Sequence, residues 1–145
     1  MKNKEKAIEL LKRYKLIKQR CGIMREKLTA LENLITSARG VTTNRIPSRG
    51  GSSKYEDKLV DYITRKDYYR LKLQNYHREL ADIDSALAEL PEQERTALKI
   101  FFLDSKPQNC ANALGETLGF ERSHIYRIRE KALCHLTEIY YARFA

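Results

Sequence analysis

The chain has 145 residues, of which 32% are charged, six are Gly, three are Pro and none is Trp. This length allows one sizeable core, or one small domain with an extended helical element, and the composition excludes a β-sandwich or a disordered tail in favour of a helix-rich soluble protein. The net charge is +9, and residues 1–54 hold 14 Lys and Arg against four Asp and Glu, which indicates a polyanionic partner or, alternatively, a solvated face that aids solubility.

The cysteines and the hydropathy limit the location and chemistry of the protein. Cys21, Cys110 and Cys134 are far apart and form no metal-ligand pattern with histidine, so we expect reduced thiols, no metal and no cofactor. No apolar run has the length of a membrane span, and charges interrupt the basic N-terminus where a signal peptide would be apolar. The sequence therefore predicts a cytoplasmic protein without a membrane partner.

A first long helix is predicted from the spacing of apolar residues, which alternate in steps of three and four for four heptads, as in a coiled coil. The residues of this seam are Leu10, Tyr14, Ile17, Cys21, Met24, Leu28, Leu31 and Ile35. The flanking cations, such as Arg13, Arg20 and Lys27, would repel one another in a parallel pair of identical helices. This charge pattern favours a partner helix of different sequence.

A second, longer seam follows and predicts a second helix. Its residues are Tyr55, Leu59, Tyr62, Lys66, Tyr69, Leu73, Tyr76, Leu80, Ile83, Leu87 and Leu90. Ser53 and Glu56 form a capping-box pattern at its start, and Pro91 marks its end. The tyrosines recur every seven residues on the face that packs, so we interpret them as core rather than as base-stacking rings.

Between the two seams lies a segment that breaks any helix. Residues 36–53 read TSARGVTTNRIPSRGGSS, with three Gly and one Pro. Such a linker allows the two helices to pack as an antiparallel hairpin over residues 1–90, since the intramolecular partner has a high effective concentration. A parallel homodimer seam is the alternative, and a dimer of hairpins stays open.

The C-terminal part, residues 91–145, divides into three predicted helical pieces. The first covers about 92–103, the second 109–117 and the third begins near Glu121. The second piece, a turn with Gly119 and the third piece form a helix-turn-helix pattern. Gly115 is small where the helices would cross, and Leu118 and Phe120 flank the turn. The fold class predicted for the whole chain is therefore all-α, a long antiparallel helical hairpin followed by a helix-turn-helix domain.

The third helical piece has an apolar and a basic side. Apolar residues recur at Ile125, Ile128, Ala132, Leu133 and Leu136, which leaves Arg122, Ser123, Tyr126, Arg127 and Arg129 for the outside. A DNA-recognition helix needs this division, because donors must reach base edges while basic residues hold phosphates. An amphipathic surface helix with a basic face is the alternative interpretation.

A family resemblance follows from two segments that flank this region. LPEQERTAL opens it and LGFERSHIYRIREKAL closes it, and residues 90–136 resemble the fourth conserved region of bacterial sigma factors, which reads the upstream promoter element. The layout of the whole chain is similar to the RinA/ArpU-type late transcription regulators of phages and prophages. The resemblance implies a DNA-binding regulator that activates late genes with host RNA polymerase, in the cytoplasm and at the nucleoid of a bacterial host.

The resemblance also implies residue roles. Arg122, Ser123 and Arg127 fall on base-reading positions, and Arg129 and Lys131 on backbone positions. Tyr126 joins the base readers through its place on the exposed side, and His124 points at the same region and is placed with the backbone contacts. Auxiliary phosphate contacts are expected from four basic residues in or beside the linker: Arg39, Arg45, Arg49 and Lys54.

Two departures from the family concern helix starts. Glu121 stands where a capping Ser or Thr is usual, and Cys110 stands where Thr is common, with Asn109 as a substitute cap. They leave the details of promoter preference open.

Other function classes remain as alternatives to the regulator. A small terminase subunit also joins a helix-turn-helix to coiled-coil helices, and a polymerase-binding protein without DNA binding would use the same fold. We expect no enzyme, because the sequence has no phosphate-cradling glycine loop, no convergent carboxylates and no nucleophile with a base.

Overall fold

The computed structural model describes residues 2–43, 52–104, 112, 115–116 and 118–144, and the side chains at 40–43, 52, 53 and 55 are outside this description. Four helices span Lys2–Thr43 (α1), Ser52–Ala88 (α2), Glu92–Leu98 (α3) and Arg122–Phe144 (α4). A π-helical turn, Lys99–Leu103, continues α3. The part of the chain that is described contains no strand, so the predicted all-α fold class is confirmed.

The predicted seam of α1 lies on its buried side. Six of its eight residues are buried and the other two, Met24 and Leu28, are half-buried. The charged residues of α1 that lie between the seam positions are largely exposed. A helix of 42 residues needs a second helix along its length to cover such a stripe.

The seam of α2 is covered to different degrees along the helix. Ile83 and Leu87, and Leu90 just beyond the helix, are buried, whereas the seam residues from Leu59 to Leu80 are half-buried. Tyr62, Tyr69 and Tyr76 belong to the half-buried set. The side chains of Tyr55 and of Ser53, with its predicted capping box, are outside the described residues.

The chain forms two compact units, one of residues 1–18 and 78–145 and the other of residues 19–77. The grouping therefore differs from the predicted segments 1–90 and 91–145, because the start of α1 and the end of α2 share a unit with α3 and α4. We call them the four-helix unit and the two-helix unit. Seam residues are fully buried more often in the first, because α4 adds a further layer there.

The core of the four-helix unit joins residues from α1, α2, α3 and α4. Leu11 of α1, Ile83 of α2, Leu98 of α3 and Leu133 of α4 belong to one cluster, and each is at most 1% exposed. Polar contacts surround this cluster. The Tyr14 hydroxyl donates a hydrogen bond to Asp84 Oδ1 at 2.6 Å, and burial, together with this carboxylate, raises the pKa of Tyr14, so the phenol keeps its proton.

Ion pairs and hydrogen bonds join α1 to α2 in each unit and establish the direction of the helices in the two-helix unit. In the four-helix unit, Arg13 near the start of α1 pairs with Glu79 near the end of α2. In the two-helix unit, Arg70 Nη2 lies 3.5 Å from Glu32 Oε1. In the same unit, Arg25, which is earlier in α1, contacts His77, which is later in α2, so the two helices run antiparallel there, as the hairpin requires.

A buried carboxylate links α3 to α4. Glu94 is 8% exposed, and both of its oxygens lie 2.8 Å from Nδ1 of His135. Since an unpaired buried carboxylate would be costly, His135 has a structural role as the partner of Glu94. The sequence analysis did not predict this pair.

Two leucines of α1 provide a matched test of the four-helix core. Leu11 is fully buried, whereas Leu16, five residues later in the same unit, is 41% exposed. We expect Leu11→Ala to lower the free energy of unfolding by about 2–5 kcal/mol, because it removes buried methyl groups and leaves a cavity. Leu16→Ala should cost less than about 1 kcal/mol. Urea denaturation followed by circular dichroism measures both, and equal losses would contradict the core assignment.

Candidate nucleic-acid interface

A glycine turn leads into α4. Gly119 has a φ of +74°, and its N–H donates a hydrogen bond to the carbonyl oxygen of Gly115 at 2.7 Å. This left-handed conformation with a five-residue hydrogen-bonded loop is a common way to end a helix. A Cβ atom at Gly115 would lie 3.1 Å from the carbonyl oxygen of Phe120, so the small residue permits the close approach of the chain. The turn therefore has a steric reason for both glycines.

The apolar side of α4 is buried as predicted. Ile125, Ala132 and Leu136 are completely buried, and Leu133 and Ile128 are 1% and 8% exposed. Ile125 and Ile128 form a second cluster with Ala97 of α3, and Leu118 and Phe120 from the turn pack against it. The orientation of α4 is thus determined by apolar contacts along its length.

The opposite side of α4 exposes the predicted base readers. Arg122, Ser123, Tyr126 and Arg127 are all exposed, and a shallow groove runs along this side from Ser123 to Lys131. The guanidinium of Arg122 lies 5.9 Å from the centre of the Tyr126 ring. Four side chains that can donate hydrogen bonds therefore lie within the first two turns of the helix.

Two of the three predicted backbone contacts are also exposed. His124 packs the edge of its ring against Phe120, with 4.6 Å between the ring centres, and Lys131 projects from the next turns of α4. Glu130 of the same helix is half-buried and pairs with Lys4 Nζ at 2.5 Å. The Glu130 carboxylate raises the pKa of Lys4, so the lysine keeps its positive charge beside it. Glu130 therefore adds little net negative charge to the face.

Arg129 has a different environment from the other predicted contacts. It is half-buried, and its guanidinium carbon lies 5.1 Å and 5.2 Å from the ring centres of Phe101 and Phe102 and 5.9 Å from that of Tyr126. Its Nε atom is buried without a hydrogen-bond partner in the described part of the chain. The structure thus places Arg129 between α4 and the π-helical turn, where it packs on aromatic rings.

The spacing of α4 contains the signal for this position. Arg129 follows Ile125 by four residues and precedes Ala132 by three, so it belongs to the buried stripe rather than to the basic side. The aromatic partners were harder to anticipate. Phe101 and Phe102 lie in a π-helical turn, whose wider spacing changes the direction of the side chains relative to an α-helix.

The remaining predicted site residues are only partly described. Arg39 and Lys54 are exposed near the end of α1 and the start of α2. Arg45 and Arg49 lie outside the described residues, as does most of the predicted helix 109–117, of which Asn112, Gly115 and Glu116 are helical. The structure therefore brings together the residues of α4 but not those of the linker.

Metal ligation and membrane insertion have no support in the described part of the chain. It contains no group of three or more His, Cys, Asp or Glu side chains that could hold a metal ion. None of its helices is long and apolar enough to cross a membrane. Comparisons with protein-family models, with curated proteins and with solved structures found no match to this chain.

The glycine turn can be tested with one substitution at two positions. Gly119→Ala introduces a Cβ atom at a positive φ and should cost about 1–2 kcal/mol of unfolding free energy. Gly22→Ala is the matched control, because it lies inside α1 with no atom within 4 Å of the new methyl group, and it should stabilise by about 0.5–1 kcal/mol. Thermal unfolding distinguishes the two, and changes of the same sign would contradict the turn geometry.

The packing of Arg129 can be separated from the exposure of Arg127 by two alanine variants. Arg129→Ala should lower the free energy of unfolding by about 1–2 kcal/mol, since it removes three cation–aromatic contacts and a half-buried stem. Arg127→Ala, two residues earlier and exposed, should change it by less than about 0.5 kcal/mol. Urea denaturation measures both. An unchanged stability of Arg129→Ala would return this residue to the solvent-facing side.

Proposed function

We propose that the protein is a sequence-specific DNA-binding transcription regulator that inserts α4 into the major groove of double-stranded DNA. The observation that carries this proposal is the division of α4 into a buried apolar stripe and an exposed side with Arg122, Ser123, Tyr126 and Arg127 at its N-terminal end. A major groove admits one α-helix, and recognition helices contact base edges mainly through their N-terminal residues.

The side chains on this face match the chemistry of base edges and phosphates. Arg122 and Arg127 can each donate two hydrogen bonds to a guanine, and the Ser123 hydroxyl can contact any base. Lys131 and His124 are suited to phosphate oxygens, because they carry donors without the flat fork that reads guanine. Arg129 supports this face from behind, through its contact with Tyr126.

The regulatory role is supported by the resemblance of residues 90–136 to the fourth region of sigma factors. With it come the expectations of a phage or prophage late-gene activator, of host RNA polymerase as a partner and of a location at the bacterial nucleoid. The net charge of +9 is consistent with a polyanionic partner such as DNA. Homodimer formation is compatible with the proposal and is not required by it.

The proposal is tested by selecting bound duplexes from random sequence and comparing two variants on the selected and the scrambled duplex. Arg127→Ala should lose most of the discrimination between the two duplexes, because a bidentate guanine contact contributes about 1–3 kcal/mol. Lys131→Ala should weaken both duplexes alike, because phosphates carry no sequence information. Fluorescence anisotropy at constant salt gives the affinity of the wild type and of each variant for both duplexes.

Several outcomes would contradict the proposal. Equal shifts of both variants on both duplexes would remove the assignment of base reading to Arg127. Retained polymerase binding without any selective duplex binding would indicate an interaction protein that uses the same fold. Ring assembly in solution would favour a packaging role of the small-terminase kind.

A further inference from the structure

A chain of cation–aromatic contacts crosses the two-helix unit. Lys27 of α1 places its Nζ atom 5.6 Å from the ring centre of Tyr69 of α2, and Lys72 Nζ lies 5.5 Å from the ring centre of Tyr68. The two tyrosine rings are 5.7 Å apart. The contacts therefore connect an ammonium group from each helix through one pair of rings.

Within this cluster Tyr68 is open to solvent, Lys27 is exposed and Lys72 is half-buried. Tyr68 is 53% exposed, although it neighbours the half-buried Tyr69 of the seam. Arg65, Tyr68 and Lys72 are separated by three and four residues, so they form one stripe on the helix surface. Tyr68, unlike Tyr69, does not belong to the seam. Its exposed ring and hydroxyl can therefore contact a partner.

The acids near the stripe do not cancel its charge. Asp61 lies one turn before Arg65 and pairs with it at 3.2 Å, and both side chains are more than half exposed. Such an exposed pair is weak and is exchanged readily for another anion. Lys27 and Lys72 form no ion pair within the described residues. Two ammonium groups and one weakly held guanidinium are thus available on this face.

Two other cations of the same unit have partners within it. Arg25 Nη2 lies 3.0 Å from His77 Nε2, and Arg70 Nη2 lies 3.5 Å from Glu32 Oε1. The unit as a whole has twelve Lys and Arg against six Asp and Glu, which is six of the nine net positive charges of the chain. The surplus therefore belongs to the unit that does not contain α4, the helix that would read bases.

We propose that Lys27, Arg65, Tyr68 and Lys72 form a second nucleic-acid contact, which binds the phosphate backbone of duplex DNA outside the bases read by α4. Lysine, arginine and tyrosine hydroxyl groups are common donors to phosphate oxygens, and the contact would add affinity without sequence preference. This inference rests on the proposed DNA-binding function. It assigns to this face a contribution to affinity that the recognition helix does not supply.

The chemistry of the face favours a phosphate backbone over an acidic protein. The centre of a protein–protein interface is depleted in charged residues and enriched in apolar contacts. Here two ammonium groups lie over two neighbouring tyrosine rings. Each ammonium group that contacts a phosphate releases condensed counterions. This release makes the slope of log K against log salt more negative by about 0.9 per phosphate.

The salt dependence of binding by the full chain tests the proposal. The double variant Lys27→Gln, Lys72→Gln should reduce the magnitude of the slope by about 1.8 on the selected and on a scrambled duplex alike. The matched control is Arg25→Gln, Arg70→Gln, which removes the same charge from the same two helices and the same unit. It should leave the slope within about 0.5 of the wild-type value, because Arg25 and Arg70 each lie two residues, or about 200° around the helix, from Lys27 and Lys72 and so face away from the proposed contact.

The fold of each variant is checked by circular dichroism and thermal unfolding, and Lys27→Arg, Lys72→Arg should keep the wild-type slope because it keeps both charges. Equal slopes for the glutamine variant and the wild type, or equal reductions in both glutamine variants, would overturn the proposal. So would an unchanged slope with loss of polymerase binding. A reduced slope in a chain without sequence preference would instead support this face and contradict the base-reading role of α4.

Discussion

The burial of one side of α4 is the constraint on which the arrangement of the candidate interface depends. Ile125, Ala132 and Leu136 are completely buried, in contact with α3 or with the cluster that joins all four helices of their unit. Rotating α4 by one residue would turn these side chains towards water and bring Arg127 or Tyr126 into the core. Because each fully buried Leu or Ile contributes about 1.5–3 kcal/mol, the exposed side of the helix has little freedom to change.

Aromatic residues have a different role in each compact unit. In the four-helix unit, Phe101 and Phe102 hold the guanidinium of Arg129 and so connect the π-helical turn to the back of the recognition face. In the two-helix unit, Tyr69 covers the seam and contacts Lys27, and Tyr68 remains open beside Lys72. Arg129 is half-buried with a buried Nε atom, whereas Lys27 is exposed on its ring, which explains why Arg129 is expected to affect stability and Lys27 binding.

The periodicity of apolar residues predicted more of this structure than any single motif did. It placed Leu10, Ile17 and Leu31 on the buried side of α1 and Ile125 and Ala132 on that of α4, because apolar spacing depends only on helix geometry. It did not predict that Glu94 pairs with His135, which lies 41 positions later in the chain. The position of Arg129 was available from the same spacing, but its charge suggested an exposed site.

By itself the sequence determined that the chain is helical, which residues form each apolar stripe and that a glycine turn precedes α4, since local spacing and backbone preferences encode all three. Only the tertiary structure decided how well each stripe is covered and which cations are engaged. Leu11 and Leu133 are buried together because α4 packs on the hairpin ends, whereas Tyr68 and Lys27 stay exposed in a unit of two helices. Such differences arise from contacts between residues far apart in the chain, which no local pattern records.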